Sequence, residues 1–135
     1  MPWSGEAPPF GFSPDSATGV PWLPQPADWK DRTAAAQAGD GRSMLELYRA
    51  AIAVRRAEPA LGDGTMAWLP APDGVLAFRR DPGFTCLVNL STAAVPLPPH
   101  SERLLASGPL DDDLSPPDTA VWLRTPHGSP TGDPA

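Results

Sequence analysis

Seven prolines stand between residues 2 and 26, at positions 2, 8, 9, 14, 21, 24 and 26. Proline fixes one backbone torsion and has no N–H to donate, so neither a long helix nor a central strand can run through them. A proline-rich start ordinarily points to disorder, but disordered segments are poor in aromatic residues. Here Trp3, Phe10, Phe12, Trp22 and Trp29 are interleaved with the prolines. Residues 1–39 are therefore expected to form an ordered loop, given a surface on which the rings can rest.

Periodicity takes over at residue 40. Asp40 is placed to cap a helix, its carboxylate accepting from the free amides of the first turn. Met44, Leu47, Tyr48, Ala51 and Val54 recur at the spacing of one helical face, and Leu45 and Ile52 widen it. Arg55 and Arg56 suit the negative end of the helix dipole. Pro59 closes the helix, because the residue before a proline avoids helical torsions. The spacing predicts one long helix over residues 40–58, in a segment that runs to residue 61.

From residue 64 the period is two, within a module expected over residues 62–125. "TMAWL", "VLAFRR", "FTCLVNL", "ERLLASG" and "TAVWLR" read as five strands, with turns at "APDG" and "DPG". The third is long and apolar enough to be central. Short strands at regular spacing predict a small antiparallel β-sandwich, so the fold class is mainly β with one long helix. "PLDDDLSPPD" reads as a loop with solvated aspartates, and residues 126–135 as a disordered tail. A lone helix before a small sandwich has no second layer on which to bury a wide apolar face. It is expected to belong to the outside of another domain.

Composition narrows the function. The net charge is −6 and the basic residues, nine arginines and Lys30, are scattered, which argues against nucleic acid as a partner. No apolar run approaches the ~18 residues of a membrane span, and no signal peptide stands at the start, so a soluble, cytoplasmic chain is expected. Cys86 is the only cysteine, which excludes an internal disulfide and a cysteine metal cluster. His100 and His127 read as exposed loop histidines without metal spacing, and neither a metal nor a cofactor is expected. Glu46 and Glu58 read as charges on the exposed face or end of the helix. Trp68 and Trp122 read as core or interface residues of the strands. Asn89-Leu90-Ser91 spells a glycosylation triplet but reads as a strand end.

Three stretches in order carry a resemblance: "MPWSGEAPPFGFS" with "PWLP", then "SMLELYRAAIAVRRAEPAL", then "GVLAFRR" with "FTCLVNLS". Together, over residues 1 to about 124, they resemble the C-terminal third of α-glucosidases of glycoside hydrolase family 13, above all the oligo-1,6-glucosidase-like enzymes. In that family a Met-Gln-Trp-Asp segment opens a long loop after the eighth strand of the catalytic (β/α)8 barrel. The last barrel helix follows, and then a small antiparallel domain with a strand ending in Val-Asn-Leu-Ser. Pro2 stands where the family has Gln and Ser4 where it has Asp, so no sugar contact is assigned to Ser4. The resemblance implies that residues 1–39 are the barrel loop, 40–61 the last barrel helix and 62–125 the C-terminal sandwich, with Met1 an internal position of a longer enzyme.

The family hydrolyses α-glucosidic bonds with retention, using two carboxylates ~5 Å apart, held at the ends of barrel strands that would precede this segment. None of the 16 acidic residues lies in a matching motif, and Glu6 and Asp15 have no barrel to fix their geometry, so no catalytic residue is expected. Trp3 and Phe12 are the candidate substrate contacts, against the reading that Trp3 and Trp22 anchor the loop to the barrel. The expected function is that of a non-catalytic C-terminal portion of an α-glucosidase acting on small malto- or isomalto-oligosaccharides. The alternative is a stand-alone module that binds α-glucan or pairs with a separate barrel. The implied partners are the oligosaccharide and the barrel, with self-association through the uncovered helix face.

Overall fold

A computed structural model describes residues 1–14 and 16–125. Asp15, His127 and the tail expected over 126–135 lie outside the described residues. The chain divides into two compact units, Met1–Arg49 and Ala50–Ala135.

In the first unit a 3-10 turn, Ala27–Arg32, leads into a short helix, α1 (Ala34–Gln37). Thr33 caps α1: its hydroxyl accepts from the Ala36 amide at 3.1 Å. The free amides of Ala34 and Ala35 are taken up by the carbonyls of Pro2 and Trp3, which fastens the start of the chain to the helix N-terminus.

The long helix, α2, runs from Met44 to Ala57 and crosses from one unit to the other. It begins later than the expected residue 40, and the reason is local. Asp40 accepts the Arg42 amide on its carboxylate and the Ser43 amide on its carbonyl, which makes a turn. Ser43 is the working cap, its hydroxyl accepting from the Glu46 amide at 3.2 Å. Gln37 accepts the Leu45 amide, and Glu46 accepts the Gly39 amide at 3.0 Å. Past the helix, Pro59–Leu61 forms a 3-10 turn that buries Ala60 completely.

The second unit is built on five antiparallel strands: β1 (Met66–Trp68), β2 (Val75–Arg80), β3 (Phe84–Asn89), β5 (Glu102–Ala106) and β7 (Thr119–Arg124). They lie in the order β1-β2-β3-β7-β5, with the apolar third strand central as its composition predicts. Two strands of two residues each, β4 (Val95–Pro96) and β6 (Leu114–Ser115), pair as a second, small sheet. β6 lies inside the stretch expected to be loop, and two residues are too few to show alternation. One face of the large sheet buries Val75, Ala77, Leu87, Val121 and Leu123; Val95 and Pro96 line the same small apolar cleft as the first three. The other face carries Phe84 and Cys86, packed with Ala60, Leu61, Phe78 and Trp122.

Polar side chains fix the joints. Arg80 donates to the carbonyls of Ala60, Gly62 and Gly64 at 2.7–2.8 Å, so the 3-10 turn is tied to β2. Gly64 passes so near the carbonyl of Asp81 that a Cβ would stand 1.8 Å from its oxygen, a space only glycine fits. Asn89 is fully buried. Its amide donates to the carbonyls of Ala93 and Ser115 at 2.8 Å, and its oxygen accepts from the amide and hydroxyl of Ser91. The triplet at 89–91 is thus a staple between β3 and β6.

Two expectations are corrected here. Glu58 is buried rather than an exposed end charge, because its carboxylate accepts from Arg124 at 2.7 Å. His100 is largely buried, with its Nδ1 2.9 Å from the Pro98 carbonyl and its Nε2 3.8 Å from Asp113. Of the two tryptophans expected in the core or at an interface, Trp122 packs edge-on against Phe84 at 5.8 Å, and Trp68 is 64% exposed, which leaves it the interface alternative.

Candidate functional site

The aromatic loop of the first unit holds both substrate-contact candidates. The amides of Trp3 and Ser4 both donate to the carbonyl of Phe10, at 2.8 and 3.2 Å, and close residues 3–10 into a ring of backbone. Phe10 and Gly11 take left-handed torsions, with φ of 47° and 75°. A Cβ on Gly11 would stand 2.9 Å from the Trp3 Cβ, so glycine is what lets the two arms of the ring approach. That crossing brings the Trp3 and Phe12 positions to one end of the closed loop.

The rings then divide by role. Phe10 is buried and lies 6.3 Å from Trp29, as does Phe12. Phe10 and Trp29 anchor the loop on itself, which supplies the surface the sequence seemed to lack. Trp3 and Phe12 remain 57% and 47% exposed, and Trp22 is 96% exposed. Trp22 therefore anchors to nothing among the described residues. An exposed ring held on a fixed backbone can stack on an apolar ligand face at little entropic cost.

A recess of about 440 Å³ in the same unit is lined by Pro8, Pro9, Ser13, Ala17, Gly19, Val20 and Pro21, with none of the rings in its wall. Among the described residues its lining offers a hydroxyl and backbone carbonyls and no titratable side chain. Glu6 is exposed. In the second unit Glu58 and Glu102 converge on the guanidinium of Arg124. Both carboxylates are taken up by this shared guanidinium in an ion-pair cluster that ties the segment before Pro59 to β7 and β5.

The shifted ionisations are structural too. Hydrogen bonding to Glu58 holds the Arg124 guanidinium still more firmly protonated. The Gly39 amide, with help from Arg49, holds Glu46 below the usual carboxylate range. Burial pushes the Cys86 thiol up to about 11. Among the described residues no His, Cys, Asp and Glu cluster could hold a metal ion, and no helix is long and apolar enough to cross a membrane.

The buried Glu58–Arg124 pair was missed in the sequence, although a signal existed. A carboxylate at a helix C-terminus opposes the dipole, so Glu58 directly before Pro59 calls for a cation elsewhere. The anchoring of Phe10 by Trp29 had no such signal, since nothing in the spacing of two aromatics nineteen positions apart reveals that they meet.

No protein-family model matches the chain. A protein named "Probable alpha-glucosidase" from Rhizobium meliloti (strain 1021) is 39% identical over 97 residues, which are 70% of this chain and 17% of that protein. The fold is shared with the solved structure of the alpha-glucosyl transfer enzyme XgtA, with a TM-score of 0.68 and 29% identity over 93% of this chain and 25% of XgtA. It is also shared with MutB, in an inactive double mutant bound to isomaltulose, with a TM-score of 0.73 and 24% identity over 92% of this chain and 24% of MutB. The chain thus spans about a sixth of the curated relative and a quarter of each solved one.

Proposed function

We infer that this chain, whose sequence and fold are those of the C-terminal part of a glycoside hydrolase family 13 enzyme, serves as the non-catalytic portion of an α-glucosidase. The observation that carries the reading is the 39% identity with a probable alpha-glucosidase over 70% of the chain. That match runs far beyond any single short motif. The substrates of such an enzyme are small α-linked oligosaccharides, and the retaining chemistry belongs to carboxylates on the barrel. This portion contributes the loop, with Trp3 and Phe12 offered to the sugar, the last barrel helix α2 and the sandwich. Its place of work is the cytoplasm.

The test is direct. The purified 135-residue chain, given maltose, isomaltose or a chromogenic α-glucoside, is expected to show no turnover. Turnover that follows the protein through repurification would overturn the reading. A second reading, a glucan-binding module acting on its own, is favoured by the exposure of Trp3, Phe12 and Trp22. Calorimetric titration with maltoheptaose separates the two. Saturable binding that Trp3→Ala abolishes supports the module, and silence supports the portion of a larger enzyme, where the barrel completes the site.

A further inference from the structure

Alternate positions of β2 grade from apolar to charged. Val75, Ala77 and Arg79 share one face of the strand, and on β3 Leu87 pairs with Ala77 and Thr85 with Arg79. The cavities on this face divide in the same way. At the apolar end lies a cleft of about 170 Å³, walled by Val75, Ala77, Leu87, Val95 and Pro96. At the other end lies a recess of about 560 Å³, with Arg79, Thr85 and Thr125 in its wall. Leu69 and Pro98 stand in the walls of both, so the two cavities adjoin and form one groove. All of these residues belong to the second unit.

Among the described residues the polar end carries one uncommitted cation. Arg80 gives its donors to three carbonyls. Arg79 is exposed and makes no ion pair among the described residues. Thr85 is buried, and its hydroxyl lies 3.5 Å from that of Thr125, too long a contact to hold either proton firmly. A guanidinium fork beside two hydroxyls suits an oxyanion, which arginine can take with two parallel hydrogen bonds. Asp81 stands in the same wall, its carboxylate accepting from the Thr65 hydroxyl at 2.9 Å. A single uncommitted cation near a carboxylate favours a singly charged ligand over a doubly charged one. The apolar end sets the ligand's body. An apolar cavity of about 150 Å³ takes a benzene molecule, so the cleft has room for about six carbons.

We propose that this groove is a binding site for a small carboxylic acid in its anionic form. The carboxylate sits on Arg79 and the hydroxyls of Thr85 and Thr125, and an apolar body of about six carbons fills the cleft of Val75, Leu87 and Val95. Neither the rings of the loop nor a glucosidic bond enters this site, so it is independent of the reading above.

Calorimetric titration of the full 135-residue chain with hexanoate tests the proposal. Saturable one-to-one binding is expected, with a Kd of about 1 mM or tighter. Acetate has the head without the body and is expected to bind about tenfold more weakly or worse, since each buried methylene is worth about fourfold. Hexan-1-ol has the body without the charge and is expected to lose about tenfold or more, as loss of a charge-assisted hydrogen bond does. Inorganic phosphate is expected not to displace hexanoate. Arg79→Gln is expected to weaken hexanoate binding by about tenfold or more, and Arg79→Lys, which keeps the charge and loses the fork, by less. Both variants should melt with the wild type, since position 79 is exposed. The ligand series on the wild-type chain decides alone should they fail to fold. Acetate or phosphate binding as tightly as hexanoate would reduce the site to a surface cation and overturn the proposal. So would an affinity for hexanoate that a folded Arg79→Gln variant leaves unaltered, or no saturable binding at all.

Discussion

Asn89 holds more of the sandwich than any apolar side chain of its size could. All four of its hydrogen bonds are internal, and two of them cross to Ala93 and Ser115. Asn89→Ala would leave the Ser115 carbonyl unpaired in the interior, whereas the exposed Ala93 carbonyl keeps the Ser91 hydroxyl and Ser91 can turn to water. A loss of about 1–3 kcal/mol, the cost of one buried group left unpaired, is expected. The urea midpoint reads it, and a loss below about 0.5 kcal/mol, the level of an ordinary surface change, would show that β6 does not depend on the staple. Cys86 gives a second test at this scale. Burial raises its thiol from 9.0 to about 11 in the folded chain. The folded state therefore holds the proton where the unfolded state has lost it. Stability is undiminished below pH 9 and falls as the pH rises from about 9 to about 11. Comparing unfolding of the wild type and Cys86→Ala across that range isolates the effect. The alkaline loss should be smaller in the variant, and equal slopes would place the charge penalty elsewhere.

At the scale of elements, α2 is a helix with no fully buried residue. Met44, Tyr48 and Ile52 are 61%, 63% and 48% exposed. They succeed one another at i, i+4 and i+8, so they form one stripe. Burying a side chain of this size is worth ~1.5–3 kcal/mol, a strong incentive for two free chains to cover their stripes together. The free chain is expected to self-associate in light scattering, and Tyr48→Glu with Ile52→Glu is expected to make it a monomer with an unchanged β-sheet circular dichroism signal. A wild-type monomer would show that the stripe is tolerated in water. The stripe was legible because helical period and apolar residues coincide. So were β2 and β7, whose six residues each are enough to show alternation, and β3, whose nearly continuous apolar run marks a central strand. β4 and β6 were not, because a strand of two residues has no period. The start of α2 was misplaced because Asp40 and Ser43 are both good caps. The choice between them was made by Gln37 and Gly39, whose hydrogen bonds to Leu45 and Glu46 fall outside the helix pattern.

The same limit governs the candidate site and the molecule as a whole. The aromatic residues of the loop were visible as a set, but their division into buried Phe10 and exposed Trp3 and Phe12 depends on left-handed torsions at Phe10 and Gly11. Such torsions leave no trace in hydrophobic spacing. The extent of the second unit was hidden in a similar way. Period-two patterning starts at residue 64, yet the structure holds the chain earlier. Arg80 grips the carbonyls of Ala60, Gly62 and Gly64, and Arg124 grips Glu58. Ala60 is fully buried against Phe84 and Cys86. The segment from Glu58 to Gly64 is therefore part of the folded unit and should resist proteases, which need an opened backbone. The exposed residues of α2 just before it, Arg55 and Arg56, have no such grip. Limited trypsin digestion is expected to cut at Arg49, Arg55 or Arg56 and to leave a stable fragment whose first residue lies between Ala50 and Ala57. Chymotrypsin should spare Leu61 while cutting at Tyr48. Replacing Arg80 by Met keeps much of the stem but removes all three carbonyl contacts, so cleavage after Leu61 should then appear in the folded protein. A wild-type fragment that begins at Gly62 would mean that the arginine does not bind the turn to the sheet, and Arg80→Met would then leave the digestion pattern unaltered.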